Sequence, residues 1–154
     1  MNAPRKNPAR SQARSAARLA AVQALYQHTM EGTPAARLID EFHQHRLGRA
    51  IDDVELADAE VAFFDDVVRG TVTRLEEIDA LLEARLAEGW SLKRLDKTML
   101  QILRCGAYEL LARPDVPLGS AISEYVDVAH AFFDRPEANF VNGVLDGVAK
   151  AVRN

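Results

Sequence analysis

The chain has 154 residues and a mass of 17.0 kDa, enough to bury one core of its own and too little for two full-sized domains. With 48% hydrophobic and 27% charged residues it has the balance of an ordinary soluble globular protein, and no apolar run reaches the length of a membrane span. The net charge of −4 conceals an asymmetry: residues 1–18 hold Arg5, Lys6, Arg10, Arg14 and Arg18 and no acid, so this arm carries +5 against −9 on the rest. A basic arm on an acidic body favours one defined contact with a polyanion over general coating, and nucleic acid is the obvious partner class.

In chain order, residues 1–12 read as a flexible basic arm, and residues 13–154 as one helical domain. From Ala13 to Met30 the pattern is helical, with Leu19, Val22, Leu25, Tyr26 and Met30 in one apolar stripe and Arg14 and Arg18 projecting together one turn apart. Gly32-Thr33-Pro34 ends that helix, and a second runs from Ala35 to about Leu47 through Leu38, Ile39 and Phe42. Residues 48–57 read as a loop. Asp58 is placed to cap the most regular helix, where Val61, Phe64, Val68, Thr71, Leu75, Ile78 and Leu82 recur in steps of three and four, with Gly70 as its expected break.

After Gly89-Trp90-Ser91 a stripe from Leu92 through Leu95, Met99, Ile102, Leu103 and Gly106 continues to about Ala112. The two-proline link Arg113-Pro114-Asp115-Val116-Pro117 follows. A fifth segment spans about Leu118 to Phe133, and Asp134-Arg135-Pro136-Glu137 turns the chain into a last helix. No stretch alternates as a strand with hairpin turns, so the fold class is all-α, a compact bundle of about six to seven helices.

The last helix holds the most informative stretch, Phe140-Val141-Asn142-Gly143-Val144-Leu145-Asp146-Gly147-Val148. Val141, Val144, Leu145 and Val148 mark a buried face, yet two glycines stand one turn apart inside it, each costing about 1 kcal/mol relative to alanine. Their presence implies close approach to the backbone, either by a packed helix or by a binding partner.

The parts of an enzyme are missing. There is no phosphate-cradling glycine loop, no nucleophile elbow and no CxxC, and the single Cys105 sits in an apolar pattern as a small core residue. His43 and His45, two apart on a helix, diverge and make a poor metal pair. No catalytic residue, metal site or cofactor is assigned. The N-terminus lacks the apolar stretch of a secretion signal, and the expected location is the cytoplasm.

Three stretches, Ala21-Val22-Gln23-Ala24-Leu25-Tyr26, Ile102-Leu103-Arg104-Cys105-Gly106-Ala107-Tyr108-Glu109-Leu110 and Phe140-Val141-Asn142-Gly143-Val144-Leu145-Asp146, in that order and at those separations, closely resemble the NusB family of bacterial transcription antitermination factors. The likeness covers about residues 13–153. The Arg-Pro-Asp-Val-Pro turn and Ile122-Ser123-Glu124 also resemble the family, which usually has Asn at the position of Ser123. This resemblance implies two small helical subdomains sharing a core and a non-catalytic function. It implies binding to the boxA segment of ribosomal RNA leader transcripts, as single-stranded RNA, in a heterodimer with the ribosomal protein NusE that joins the RNA polymerase antitermination complex.

On that reading Arg14 and Arg18 pair with phosphates and Arg10 adds longer-range attraction, Tyr26 and Phe140 stack on bases or serve the core alone, Asn142 reads a base edge or anchors its helix, and Arg104 faces RNA or forms a structural ion pair. Two departures fall near the expected face: Met99-Leu100 replaces an acidic-basic pair, and Arg135-Pro136-Glu137 replaces Glu-Asp-Ser. Two other readings are the similar RNA-binding domain of ribosomal RNA cytosine methyltransferases, which would need a large catalytic domain downstream, and a helical adaptor that binds protein alone. A free-standing factor is expected. Monomer and homodimer both remain open, and no membrane partner is expected.

Overall fold

The computed structural model describes the backbone of residues 8–46 and 58–153, and side chains within 12–44 and 60–153. Among the described residues seven α-helices form: α1 (Pro8–Glu31), α2 (Ala35–Glu41), α3 (Asp58–Thr73), α4 (Leu75–Glu83), α5 (Lys97–Ala112), α6 (Leu118–Phe132) and α7 (Arg135–Val152). There is no strand among the described residues.

Helix α1 begins earlier than its apolar stripe, at Pro8. Proline is well placed in a first turn, where its missing N–H has no acceptor to lose, and alanine at 9, 13, 16 and 17 then favours helix without needing an apolar periodicity. The helix stops at Gly32, whose φ of 72° suits glycine. α2 is shorter than its stripe and winds into a π-helical turn over Phe42–Arg46. The expected loop at 48–57 and residues 1–7 of the expected 1–12 arm lie outside the described residues, as does the side chain of Asp58, whose backbone opens α3.

The break in the long central pattern falls at Arg74 (φ −105°, ψ 25°) and not at Gly70. Gly70 stays helical, and the Tyr108 ring occupies the place its side chain would take. Leu92–Arg94 form a separate 3₁₀ turn, and α5 starts two residues after it under Asp96, whose Oδ1 accepts from the backbone N–H of Thr98 (2.8 Å) and Met99 (3.1 Å).

Helix α5 is the axis of the fold. Between Met99 and Leu110 only Arg104 escapes full burial, the mark of a helix surrounded on all sides. It packs on α1, α3, α4, α6 and α7, so the α1–α3 and α4–α7 groups share one continuous core. Gly106 permits a close approach of α7, since a Cβ there would lie 2.6 Å from Leu145 Cδ1. Arg153, just past α7, donates to the carbonyls of Glu109 (3.0 Å), Leu110 (2.8 Å), Arg113 (2.7 Å) and Val116 (2.6 Å). A cation thereby gathers carbonyls from the end of α5 and the link after it and locks the terminal helix to both.

Candidate nucleic-acid interface

The seven residues assigned from sequence fall into distinct environments. Arg18 is only 3% exposed, and its guanidinium forks onto Glu109 of α5, Nε to Oε2 and Nη2 to Oε1, both at 2.9 Å. Glu124 of α6 stands 3.6 Å from Nη1, and Ser15 Oγ donates to that carboxylate at 2.8 Å. The Tyr125 hydroxyl donates to Glu109 Oε2. Burial works against the Arg18 charge, but the hydrogen bonds and attraction of Glu109 outweigh it and hold its pKa above the usual arginine value. The expectation that Arg18 pairs with a phosphate is therefore corrected: its donors face inward and are occupied.

Arg14, one turn earlier, keeps 23% of its side chain at the surface, stacks 4.4 Å above the Phe63 ring and approaches Glu60 to 3.4 Å. Arg18 and Arg113 also lie 5.0 Å from that ring, so three guanidiniums converge on one buried phenyl. Arg113 is held in turn by Asp66 (3.1 Å) and Asp115 (2.9 Å). Acids surround this cluster, which makes it a structural knot at the α1–α3–α5 junction and gives it no excess positive charge. The Arg10 side chain lies outside the described residues.

Arg104 is likewise structural. It pairs bidentately with Asp79 of α4 (2.9 and 2.8 Å) and reaches Thr29 of α1 at 3.4 Å and Gln101 at 3.3 Å. It lines a cavity of about 560 Å³ with Asp79, Lys93, Lys97 and Leu100. Of the departing pair, Met99 and Leu100 are both buried, so the apolar substitution follows the position's packing here. Arg135-Pro136-Glu137 forms the first turn of α7, with Pro136 among its opening residues.

The remaining three residues are presented outward. Phe140 is 37% exposed, Asn142 is exposed, and between their turns Gly143 has no atom within 4 Å of a notional Cβ. Gly147, one turn on, is different: Arg85 Cδ comes within 3.0 Å of that position. Of the two glycines, one accommodates a side chain of this fold and the other leaves bare backbone on the outer face of α7. Tyr26 is 40% exposed on a stripe of α1 with Gln23, Gln27 and Met30, at i, i+3, i+4 and i+7 spacing. This stripe lines a groove of about 380 Å³ closed by Thr98 of α5 and Phe132 of α6. Sequence reading missed Phe132, which is 44% exposed at the end of its helix, because an Phe-Phe pair in an apolar segment signals core.

The α1–α6 groove and the outer side of α7 thus each present aromatic rings or bare backbone beside neutral amides. The NusB family model matches residues 15–150. The chain belongs to the NusB family. It is 70% identical over 132 residues to the transcription antitermination protein NusB of Novosphingobium aromaticivorans, spanning 86% of this chain and 89% of that protein. The NusB of Caulobacter vibrioides is 48% identical over 133 residues with the same shares. Among solved structures, T. maritima NusB aligns at a TM-score of 0.73 and 30% identity over 97% of this chain and 93% of that one. A crystal structure of the antitermination factors NusB and NusE in complex with dsRNA aligns at 0.77 and 27% identity over 91% and 98%. Membership places the chain among transcription antitermination factors. Among the described residues of this NusB-family protein no helix is long and apolar enough to cross a membrane, and no group of three His, Cys, Asp or Glu side chains is arranged to hold a metal.

Proposed function

We propose that this chain binds boxA-type RNA of ribosomal RNA leader transcripts together with NusE, in the RNA polymerase antitermination complex, and so sustains ribosomal RNA synthesis. The observation that carries the reading is the outer face of α7, where exposed Phe140 and Asn142 flank the bare backbone of Gly143 inside the family's most specific motif. A ring for stacking, an amide for a base edge and a backbone open to close approach are what single-stranded RNA uses. Tyr26 adds a second ring on α1. Arg10 and the other arm cations supply phosphate attraction, while Arg14, Arg18 and Arg104 hold the scaffold. The related NusB crystallised with NusE and dsRNA supports the same partners by similarity.

The test is fluorescence anisotropy of a labelled boxA-type RNA over a salt series, with and without NusE, beside a scrambled RNA. Tighter and sequence-selective binding in the presence of NusE is expected, weakening as salt rises. Equal affinity for both RNAs under both conditions, with the protein folded by circular dichroism, would move the reading to a protein adaptor.

A further inference from the structure

Most arginines with described side chains are already held. Arg18, Arg74, Arg104 and Arg113 sit against carboxylates, and Arg94 and Arg153 donate to backbone carbonyls. Arg85 is different: it is exposed, and its guanidinium donates to no described residue. Its place is nonetheless defined. Two residues past the end of α4, it lays its stem across Gly147 of α7, with Cδ, Cγ and Cβ at 3.0, 3.5 and 4.0 Å from where a Cβ on that glycine would stand. The bare backbone at 147 admits the apolar stem while the charged end stays in water.

Gly147 shares one stripe of α7 with Phe140 and Gly143, at i, i+3 and i+7 spacing. Arg85 therefore crosses α7 roughly 10 Å along the helix from Phe140. The cations of α7 itself are less suited to that stripe: Lys150 pairs with Asp146 at 3.1 Å, and Arg135 lies roughly 140° around the helix from Phe140. A base stacked on Phe140 brings its negatively charged backbone against the same surface, where Arg85 stands with its donors unspent.

We propose that Arg85 is a phosphate contact of the bound RNA, gripping the backbone beside the nucleotide that stacks on Phe140. The inference rests on the RNA-binding reading and adds to it a cation that belongs neither to the basic arm nor to α7. The planar fork of N–H donors matches two phosphate oxygens, and a stem already laid on Gly147 has less freedom to lose on binding.

The experiment measures the affinity of labelled boxA-type RNA by anisotropy over a salt series, on the full chain with NusE, for the parent, Arg85→Ala, Arg85→Lys and Arg69→Ala. Losing one phosphate contact should weaken Arg85→Ala about five-fold at low salt. It should also make the slope of log affinity on log salt shallower by about 0.7, the release expected for one single-strand phosphate. Arg85→Lys should keep the parent slope at a lower affinity, because the charge remains while the fork is lost. Arg69→Ala removes an exposed charge from α3 and should leave both quantities near the parent values. An equal loss in Arg69→Ala would reduce the effect to net charge and overturn the contact. Parent-like affinity and slope in Arg85→Ala would overturn it as well, while selective binding by the parent would keep the RNA reading. No preference of the parent for boxA-type over scrambled RNA would remove both. Loss of NusE capture by Arg85→Ala in the absence of RNA, with the salt slope intact, would assign this arginine to the protein interface and overturn the proposal.

Discussion

Arg18 on α1 and Glu109 on α5 share two hydrogen bonds of 2.9 Å across 91 residues of sequence, at 3% and 0% exposure. Each cancels a charge that the other would leave stranded in the core. Arg18→Met is expected to cost about 3–5 kcal/mol, because Glu109 then stays buried without its counter-ion. Urea unfolding checks this, and an unchanged midpoint would contradict it. Replacing the whole buried group, as Arg18→Met with Glu109→Leu and Tyr125→Phe, should recover much of the loss, since apolar side chains of similar volume leave no buried charge or hydroxyl without a partner. The folded fraction of Arg18→Met should bind RNA nearly as the parent does, which separates this arginine from the arm cations.

The same region sets an alkaline limit on stability. Burial first, then the hydrogen bond to Asp66 (2.8 Å) and its charge, push Tyr108 up to about 12, and burial with the Glu109 charge also raises Tyr125. The folded protein therefore keeps protons that the unfolded chain releases near the ordinary tyrosine value of about 10. This contribution is complete below about pH 10 and is lost as pH climbs through about 12. Thermal midpoints should fall steeply across that window, with tyrosinate absorbance of these two residues appearing late, and Tyr108→Phe should make the fall shallower. A midpoint flat from pH 9 to 12 would contradict the assignment.

Phe140 and Asn142 make the opposite prediction to Arg104. Substituting either exposed residue by alanine should lower RNA affinity by about ten-fold, the scale of one stacking or base-edge contact, with a small change in unfolding free energy. Arg104→Ala should chiefly lower stability, because it releases Asp79 and separates α4 from α5. Parallel anisotropy and urea titrations of the three variants check the division.

The α7 glycines differ in kind, and alanine substitution exposes the difference. Gly143→Ala meets no atom within 4 Å and should raise stability by up to about 1 kcal/mol, while weakening RNA binding by intruding on the bare backbone. Gly106→Ala on α5 should destabilise, because Leu145 Cδ1 lies 2.6 Å from the added atom. A Gly143→Ala protein with full RNA affinity would argue that nothing closes on that backbone.

Helix order and fold class were legible because each apolar stripe here is long and faces one shared core. The interior ends were less so. Gly70 looks like a break in one dimension, and only the Tyr108 ring, arriving from another helix, makes it a packing site. Pro8 and Asp96 set their helix starts by local backbone chemistry that an apolar stripe does not report. Arg18 illustrates the harder case: charge is visible in sequence and its partner is not. A signal was present, since both Arg18 and Glu109 interrupt otherwise small or apolar runs, as buried ion pairs do. Arg153 gave no local sign of its role, because the four carbonyls that it binds belong to α5 and the link after it.

A backbone amide titration by NMR with boxA-type RNA, on the full 17.0 kDa chain with NusE bound, tests the proposed face most directly. Shifts concentrated at Tyr26, Phe132, Phe140, Asn142 and Gly143, with Arg18 and Arg104 little perturbed, are the expected result. Shifts centred on the Asp79–Arg104 cavity, with the α1–α6 groove and the outer face of α7 silent, would contradict the account.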